Sequence, residues 1–418
     1  MSLIPVEEAL RHVLAGVSGP TESERLPLAA CAGRTLAEDT GALRDQPPFP
    51  ASAMDGYAVR AADIAQTPVT LDMIGTSAAG NRFSGTVGPG QAVRIFTGAP
   101  LPDGADTVVI QENTQASDGR VAVTEVSAPF RHIREAGLDF KSGEVLLKAG
   151  TRLDARHIAL AAAMGHGELV VRRRPRIAIL ATGDELVRAG EPAGPDQITA
   201  SSLPATALMV EKAGGEAIDL GIARDTLVSL DERIQAALDA QADLLVTLGG
   251  ASVGEHDLVQ KALAQKGMEL GFWRVALRPG KPLMHGRLGK TLLLGLPGNP
   301  VSSFVCAVLF LVPAIRALCG DPQAGADPSE TAILGRDLPA NGDRQDYMRA
   351  ALSGGEFVLS GPAGIQALHL PVATPQEAQD SSMLGILARS DVLLVRPPGA
   401  PAAATGEPCR IIRFDRFC

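Results

Sequence analysis

Aromatic residues are scarce in this chain: Phe, Trp and Tyr together make up 3% of 418 residues, with one tryptophan and two tyrosines. Its core must therefore be aliphatic. The five cysteines, Cys31, Cys306, Cys319, Cys409 and Cys418, are odd in number, scattered and without C-x-x-C spacing. That speaks against a disulfide framework and a zinc site, and fits a reducing, cytoplasmic compartment. Positive charge is in deficit, 38 Lys plus Arg against 47 Asp plus Glu for a net charge of -9, so no general field draws nucleic acid or an anionic membrane and any anionic ligand must be held locally. The longest apolar run, VSSFVCAVLFLVPAI at 301–315, falls short of the roughly 20 residues of a membrane span and contains Pro313, so it predicts a buried helix. The start, MSLIPVEEALRHVLAGV, has acids where a secretion signal carries basic residues, and its apolar spacing is that of an amphipathic helix. No Ser-His-Asp order, G-x-S-x-G elbow or H-x-x-x-H pair occurs, which turns the search from covalent catalysis to cation-assisted transfer.

What the chain does have is length for several domains and three kinds of pattern. From about residue 173, apolar strands alternate with amphipathic helices: RIAILATG, PATALMVEKAGG, EAIDLGIA, then SLDERIQAALDA opened by a Ser229/Glu232 capping box, then ADLLVTLGG, HDLVQKALAQKG, LGFWRVAL and KTLLLGLPGNP. Such alternation predicts a doubly wound, mostly parallel sheet with its ligand site at the carboxyl ends of the strands. Short Gly- and Pro-punctuated strands predict a β-rich inserted domain over 46–140, and a second such series predicts a small barrel or sandwich over 323–418. The flanks 1–45 and 141–172 then form a discontinuous N-terminal domain, in which an Ala-rich helix packs on the first helix, and 173–322 is the α/β domain. The basic run RRRPR at 172–176 reads as a solvated junction.

Candidate site residues cluster in the loops after the strands. ATGDEL puts Asp184 and Glu185 at a strand's carboxyl end, where carboxylates could hold a divalent cation against a phosphate; the same acids also suit a helix N-terminus, whose dipole favours them. TLGGASVGEHD offers Gly249, Gly250, Ser252 and Gly254 as an anion nest, with Asp257 on its rim, although a plain strand-to-helix turn would also use the glycines. Two acidic loops around one nest suggest a nucleotide phosphate with Mg²⁺. Arg274, Arg278 and Lys281, and then Asn299, Ser302 and Ser303 in GLPGNPVSS, suit a second anion, with solvated edge charges as the alternative.

Six stretches in order, SAMDGYAVR, RIFTGAPLPDGADTVV, ATGDELV, GGASVGEHD, RPGKP and LPGNPVSS, resemble the successive signatures of the MoeA family of molybdopterin molybdenumtransferases, whose relatives include the E-domain of gephyrin. The resemblance runs over effectively the whole chain. It implies a four-domain homodimer ending in a β-barrel, which hydrolyses adenylyl-molybdopterin with the help of Mg²⁺, transfers molybdate to the dithiolene and releases AMP and molybdenum cofactor. By position it implies catalytic roles for Glu185, Asp257, Asp55 and Asp225, with Glu185 and Asp257 on the metal. Substrate or nucleotide contacts fall to Thr97, Asp184, Gly249, Gly250, Ser252, Gly254 and Asn299. Molybdate contacts fall to Arg278, Lys281, Pro282, Ser302, Arg349 and Ser382, with Arg344 and Ser381 fitting the last two places equally. The Asp55 loop would reach the partner's cleft, while Tyr57 either packs or contacts ligand. An adenylyltransferase and molybdoenzyme chaperones are implied as further partners. A related adenylyltransferase or a nucleotide amidohydrolase shares the sheet domain but lacks or replaces the SAMDGYA domain and the barrel, and a receptor scaffold would need linkers absent from this sequence. The chain departs from the pattern in having Arg274 and Arg278 where lysine is common, and Pro50 and Ser202 where relatives carry an acid and asparagine.

Overall fold

Aliphatic runs with almost no polar interruption, IAILA, LLVTL and LLLGL, form the centre of one sheet, because a parallel strand covered on both faces has no side left for water. The computed structural model describes residues 3–250, 258–354, 356–361 and 364–417. The chain divides into two units, one of Met1–Glu24, Gly33–Ala37 and Val171–Cys418, the other of Arg25–Ala32 and Glu38–Val170.

In the first unit, six strands lie in the order Glu216–Ala223, Arg176–Thr182, Leu244–Leu248, Thr291–Leu296, Pro282–Leu288, Glu269–Arg274. The first four are parallel and the last two antiparallel. One face buries Ile177, Ile179, Val246 and Leu294 under the helices Ser202–Ala213 and Pro300–Leu318. The other buries Leu180, Leu245 and Leu293 under Leu227–Asp239 and Leu258–Gln265. The sheet is thus covered on both sides, as the alternating pattern implies. The strand Pro282–Leu288 was not apparent in the sequence, since His285, Gly286 and Arg287 interrupt its apolar residues.

The nineteen-residue helix Pro300–Leu318 exceeds the apolar run that marks it and is long and apolar enough to cross a membrane, yet 78% of that window is buried inside the unit. Its turn Ala307–Leu311 widens to π-helix just before Pro313, whose ring cannot accept an ordinary helical turn beneath it. The helix Leu227–Asp239 starts earlier than the Ser229/Glu232 box suggests, because Thr226 caps it by accepting from the Ser229 amide. The first helix, Val6–Ala15, does not build a separate core with the Ala-rich helix: it buries Val6, Ala9 and Val13 in the core of the sheet unit. The run at 172–176 is no solvated junction either, since Arg172 donates to the Thr21 carbonyl and Arg173 bridges Glu22 and Asp243.

Beyond the sheet, Gln345–Ser353, Val372–Pro375, Glu330–Leu334, Pro408–Arg413 and Val392–Arg396 close into a five-stranded barrel around Leu334, Ala350, Leu394 and Ile411. The short strand Leu277–Arg278 pairs with Gln345 and Asp346, tying barrel to sheet. The second unit holds a mixed six-stranded sheet in the order Thr107–Ile110, Gly56–Val59, Gln91–Ile95, Val69–Ser77, Arg120–Val123, Thr114–Ser117.

His285 is 6% exposed, stacks on Phe272 at 5.1 Å between ring centroids, and has no partner for either ring nitrogen among the described residues. Burial, then the positive charges of His12 and Arg287, push its pKa from 6.5 down to about 4. The folded state thus favours the neutral ring, and this contribution is intact above the ordinary histidine range and drawn down as pH falls from 6.5 toward 4. Thermal unfolding followed over that window should show a steeper loss of Tm for the wild type than for His285→Leu, whatever the offset between them at neutral pH.

Candidate functional site

The four parallel strands end at one edge of the sheet, so the loops that follow them share that edge. Across it stand Asp225, then Asp184 and Glu185, then Gly249 and Gly250, then Asn299. These loops approach closely. The Asp225 amide donates to Asp184 Oδ1 at 3.2 Å, and Arg224 donates to the Asp184 carbonyl at 2.9 Å. Gly249 has φ 97°, and a Cβ there would meet the Thr182 carbonyl at 2.9 Å; on Gly250 it would meet Val259 at 2.2 Å. Glycine is therefore required by both the turn and the space. Partial burial first, then the charges of Asp184 and Glu185, raise the Asp225 pKa above its ordinary 3.8. Among the described residues no three His, Cys, Asp or Glu side chains lie close enough to hold a metal by themselves. Ser252, Gly254 and Asp257 lie outside the described residues.

Further along the same edge the helix starting at Pro300 meets the barrel. Asn299 donates to Ser381 Oγ at 2.9 Å, and the Val301 amide donates to the Ser381 carbonyl at 3.1 Å. Ser382 donates both its amide and its hydroxyl to Asp380 Oδ1. Arg349 is fully buried: Nη2 donates to the Asp380 carbonyl at 3.1 Å, while Nε and Nη1 find no partner among the described residues. Burial lowers the pKa of this guanidinium, opposed by the Asp380 charge. The RPGKP loop packs on the same helix, with a Cβ on Gly280 standing 2.6 Å from Cys306 Sγ and 3.7 Å from the Ser302 carbonyl. Ser302 is buried and Lys281 exposed. Arg278 forms an ion pair with Asp346, so its charge is matched by a neighbour within the protein. Arg344 is half-buried at the strand's approach and its carbonyl accepts from Asn341. Asp380, which organises Ser382 and Arg349, carries no sequence signal of its own.

In the other unit, Asp55 Oδ1 accepts the Thr97 amide at 2.7 Å and the Thr97 hydroxyl at 2.8 Å. Those two bonds, the amide first, hold the Asp55 carboxyl below its ordinary range. Gly56 passes so near its neighbour strand that a Cβ would stand 1.9 Å from the Val109 carbonyl. Tyr57 is 6% exposed and packs in the unit's core with Val59, Leu71 and Val109, which assigns it to packing.

Three family models match in succession: the MoeA N-terminal region (domain I and II) over residues 4–165, a probable molybdopterin binding domain over 178–317 and the MoeA C-terminal region (domain IV) over 331–414. A molybdopterin molybdenumtransferase of Haemophilus influenzae is 38% identical over 348 residues, 83% of this chain and 85% of that one. The chain belongs to the MoeA family. A molybdopterin molybdenumtransferase of Bacillus subtilis is 32% identical over 98% of this chain and 94% of the relative. The crystal structure of a molybdopterin biosynthesis MoeA protein from Pyrococcus horikosii covers 99% of both chains with a TM-score of 0.81 at 29% identity. The MoeA N-terminal match takes in the Asp55–Thr97 pair, the central one the strand-end acids, and the C-terminal one Arg349 and Ser382.

A carboxyl whose pKa is raised in the folded state favours the protonated form, so the Asp225 carboxylate costs stability once pH exceeds its raised pKa, and the cost is absent below the ordinary 3.8. Asp225→Asn should therefore raise Tm at neutral pH, with the gain shrinking toward zero near pH 4, as differential scanning calorimetry would record.

Proposed function

We propose that this chain inserts molybdenum in molybdenum cofactor biosynthesis, hydrolysing adenylyl-molybdopterin and transferring molybdate to the dithiolene with release of AMP. The observation that carries this reading is one sheet edge that bears an acidic rim at one end and, toward the other, a buried guanidinium with two donors unused among the described residues. The Gly249–Gly250 turn lies between them, where backbone amides can approach a phosphate. We read Arg349, with Lys281, Ser302 and Ser382, as the oxyanion end, since a buried guanidinium whose Nε and Nη1 find no partner among the described residues would be stabilised by one. Asp184 and Asp225 shape the rim through their mutual hydrogen bond. Asn299 fixes the 381–382 loop over the oxyanion end.

The donor set on the rim is all carboxylate, the hard oxygen chemistry that suits Mg²⁺, which is ordinarily held by one or two carboxylates and completed by substrate phosphates. After partial burial, the charges of Asp184 and Glu185 contribute to the raised pKa of Asp225, and a cation would offset those charges. Glu185 and Asp257 would hold it, and its contribution would be to neutralise charge developing on the phosphoanhydride. We read the active protein as a cytoplasmic homodimer in which Asp55 and Thr97 of a second copy complete the rim, supplied with substrate by an adenylyltransferase and relieved of product by molybdoenzyme chaperones.

Incubating the protein with adenylyl-molybdopterin, Mg²⁺ and molybdate and following AMP tests this directly. Glu185→Ala or Asp257→Ala should lower AMP release by about 10² or more while substrate stays bound. A variant hydrolysing at the wild-type rate with unchanged Mg²⁺ dependence would reduce both acids to helix-end charges. Lys281→Ala should weaken the dependence on molybdate and leave nucleotide affinity nearly intact; equal loss of both would overturn the division into two anion sites. Light scattering during size exclusion should give a dimer, and a monomer at micromolar concentration would remove the role assigned to a second copy.

A further inference from the structure

The Asp55–Thr97 pair sits between two strand ends: Gly56–Val59 begins just after Asp55, and Gln91–Ile95 ends two residues before Thr97. These strands are antiparallel neighbours with Tyr57 opposite Arg94, so both side chains share a face. The Arg94 guanidinium carbon lies 4.9 Å from the centroid of Tyr57 and 5.0 Å from that of Phe96. Its Nη1 donates to the Gly56 carbonyl at 3.3 Å and its Nη2 to Gln111 Oε1 at 2.8 Å. Gln111 in turn donates its amide to the Asp55 carbonyl at 3.1 Å. One guanidinium therefore touches the two residues after Asp55, the residue before Thr97, and the side chain of the residue that holds the Asp55 backbone.

We propose that Arg94 is the positioning residue of the Asp55 site, clamping the three segments that fix the aim of the Asp55 carboxylate and the Thr97 hydroxyl while touching no reacting atom itself. This rests on the reading of Asp55 as a catalytic group. The guanidinium lies over one surface ring, Phe96 at 38% exposed, and one core ring, Tyr57 at 6%, and loss of such a cation–ring contact changes global stability only modestly. Its contacts all fall on the segments that flank Asp55 and Thr97, an arrangement that bears on aim. Lysine cannot substitute, because a point charge on a flexible stem neither lies flat between two rings nor donates as a planar fork.

The test compares Arg94→Met, Arg94→Lys, Asp55→Asn and the Arg94→Met/Asp55→Asn double variant by thermal unfolding, by hydrogen exchange of the Thr97 and Gln111 amides, and by AMP release from adenylyl-molybdopterin. Both Arg94 variants should unfold cooperatively within a few degrees of the wild type, and both should lose about ten-fold or more of the protection of these two amides. AMP release should fall by about 10-fold to 100-fold in each, the scale on which small misplacements act. In the Asp55→Asn background Arg94→Met should cost less than about two-fold more, since both changes remove one function. Unchanged amide protection, full activity with lysine, an equal further loss in the Asp55→Asn background, or loss of the cooperative transition would each overturn the clamp. The exchange arm needs no substrate: a wild type that releases no AMP defeats the functional reading while exchange still decides Arg94, and a fully active Asp55→Asn variant defeats both.

Discussion

Three central parallel strands buried on both faces leave their part of the chain only one kind of place for polar chemistry, the ends. Ile177, Leu180, Leu244, Val246 and Leu294 are all 0% exposed, committed to packing. Because these three and Glu216–Ala223 run in the same direction, their carboxyl ends and following loops fall on one edge, which gathers Asp225, Glu185, Gly249 and Asn299 although more than a hundred residues separate Glu185 from Asn299. The glycines follow from the same constraint. Loops crowded at one edge must pass close together, and a Cβ on Gly249 would stand 2.9 Å from the Thr182 carbonyl.

The barrel extends that edge. Pairing of Leu277–Arg278 with Gln345 and Asp346 fixes the first strand of the barrel against the sheet domain, and the Asn299–Ser381 bond fixes its loop over the start of the long helix. Between these two attachments sits Arg349, buried with two donors unused among the described residues. A buried guanidinium with unused donors is costly even with the Asp380 charge nearby. Acids at one end and this cation toward the other give the edge two electrical characters, which suits a substrate that joins a polyphosphate to a second anion.

The second unit is built by the opposite device, a mixed sheet of short strands in which one hydrogen-bonded pair, Asp55 with Thr97, stands at the strand ends. Its geometry is local: Gly56 lets the strand pass Val109, Tyr57 anchors the inner face, and the carboxylate is left pointing outward with its charge held by two donors from one residue.

By itself the sequence determined the sheet, through its three aliphatic runs and the helices between them, because periodic burial leaves a periodic record. It also marked the loops at the strand ends, since the turns at Gly249 and Gly250 demand glycine. It did not reveal the strand Pro282–Leu288, whose polar and small residues break the period, nor the true start of Leu227–Asp239, where Thr226 and Ser229 are both plausible caps and only the backbone chooses. The place of Val6–Ala15 in the sheet core, the Arg278–Asp346 pairing and the gathering of Arg349, Asp380 and Ser381 around one helix start were decided by the tertiary structure alone. Each depends on segments far apart in sequence meeting across a surface, and no local pattern of residues encodes which distant charge a side chain will face.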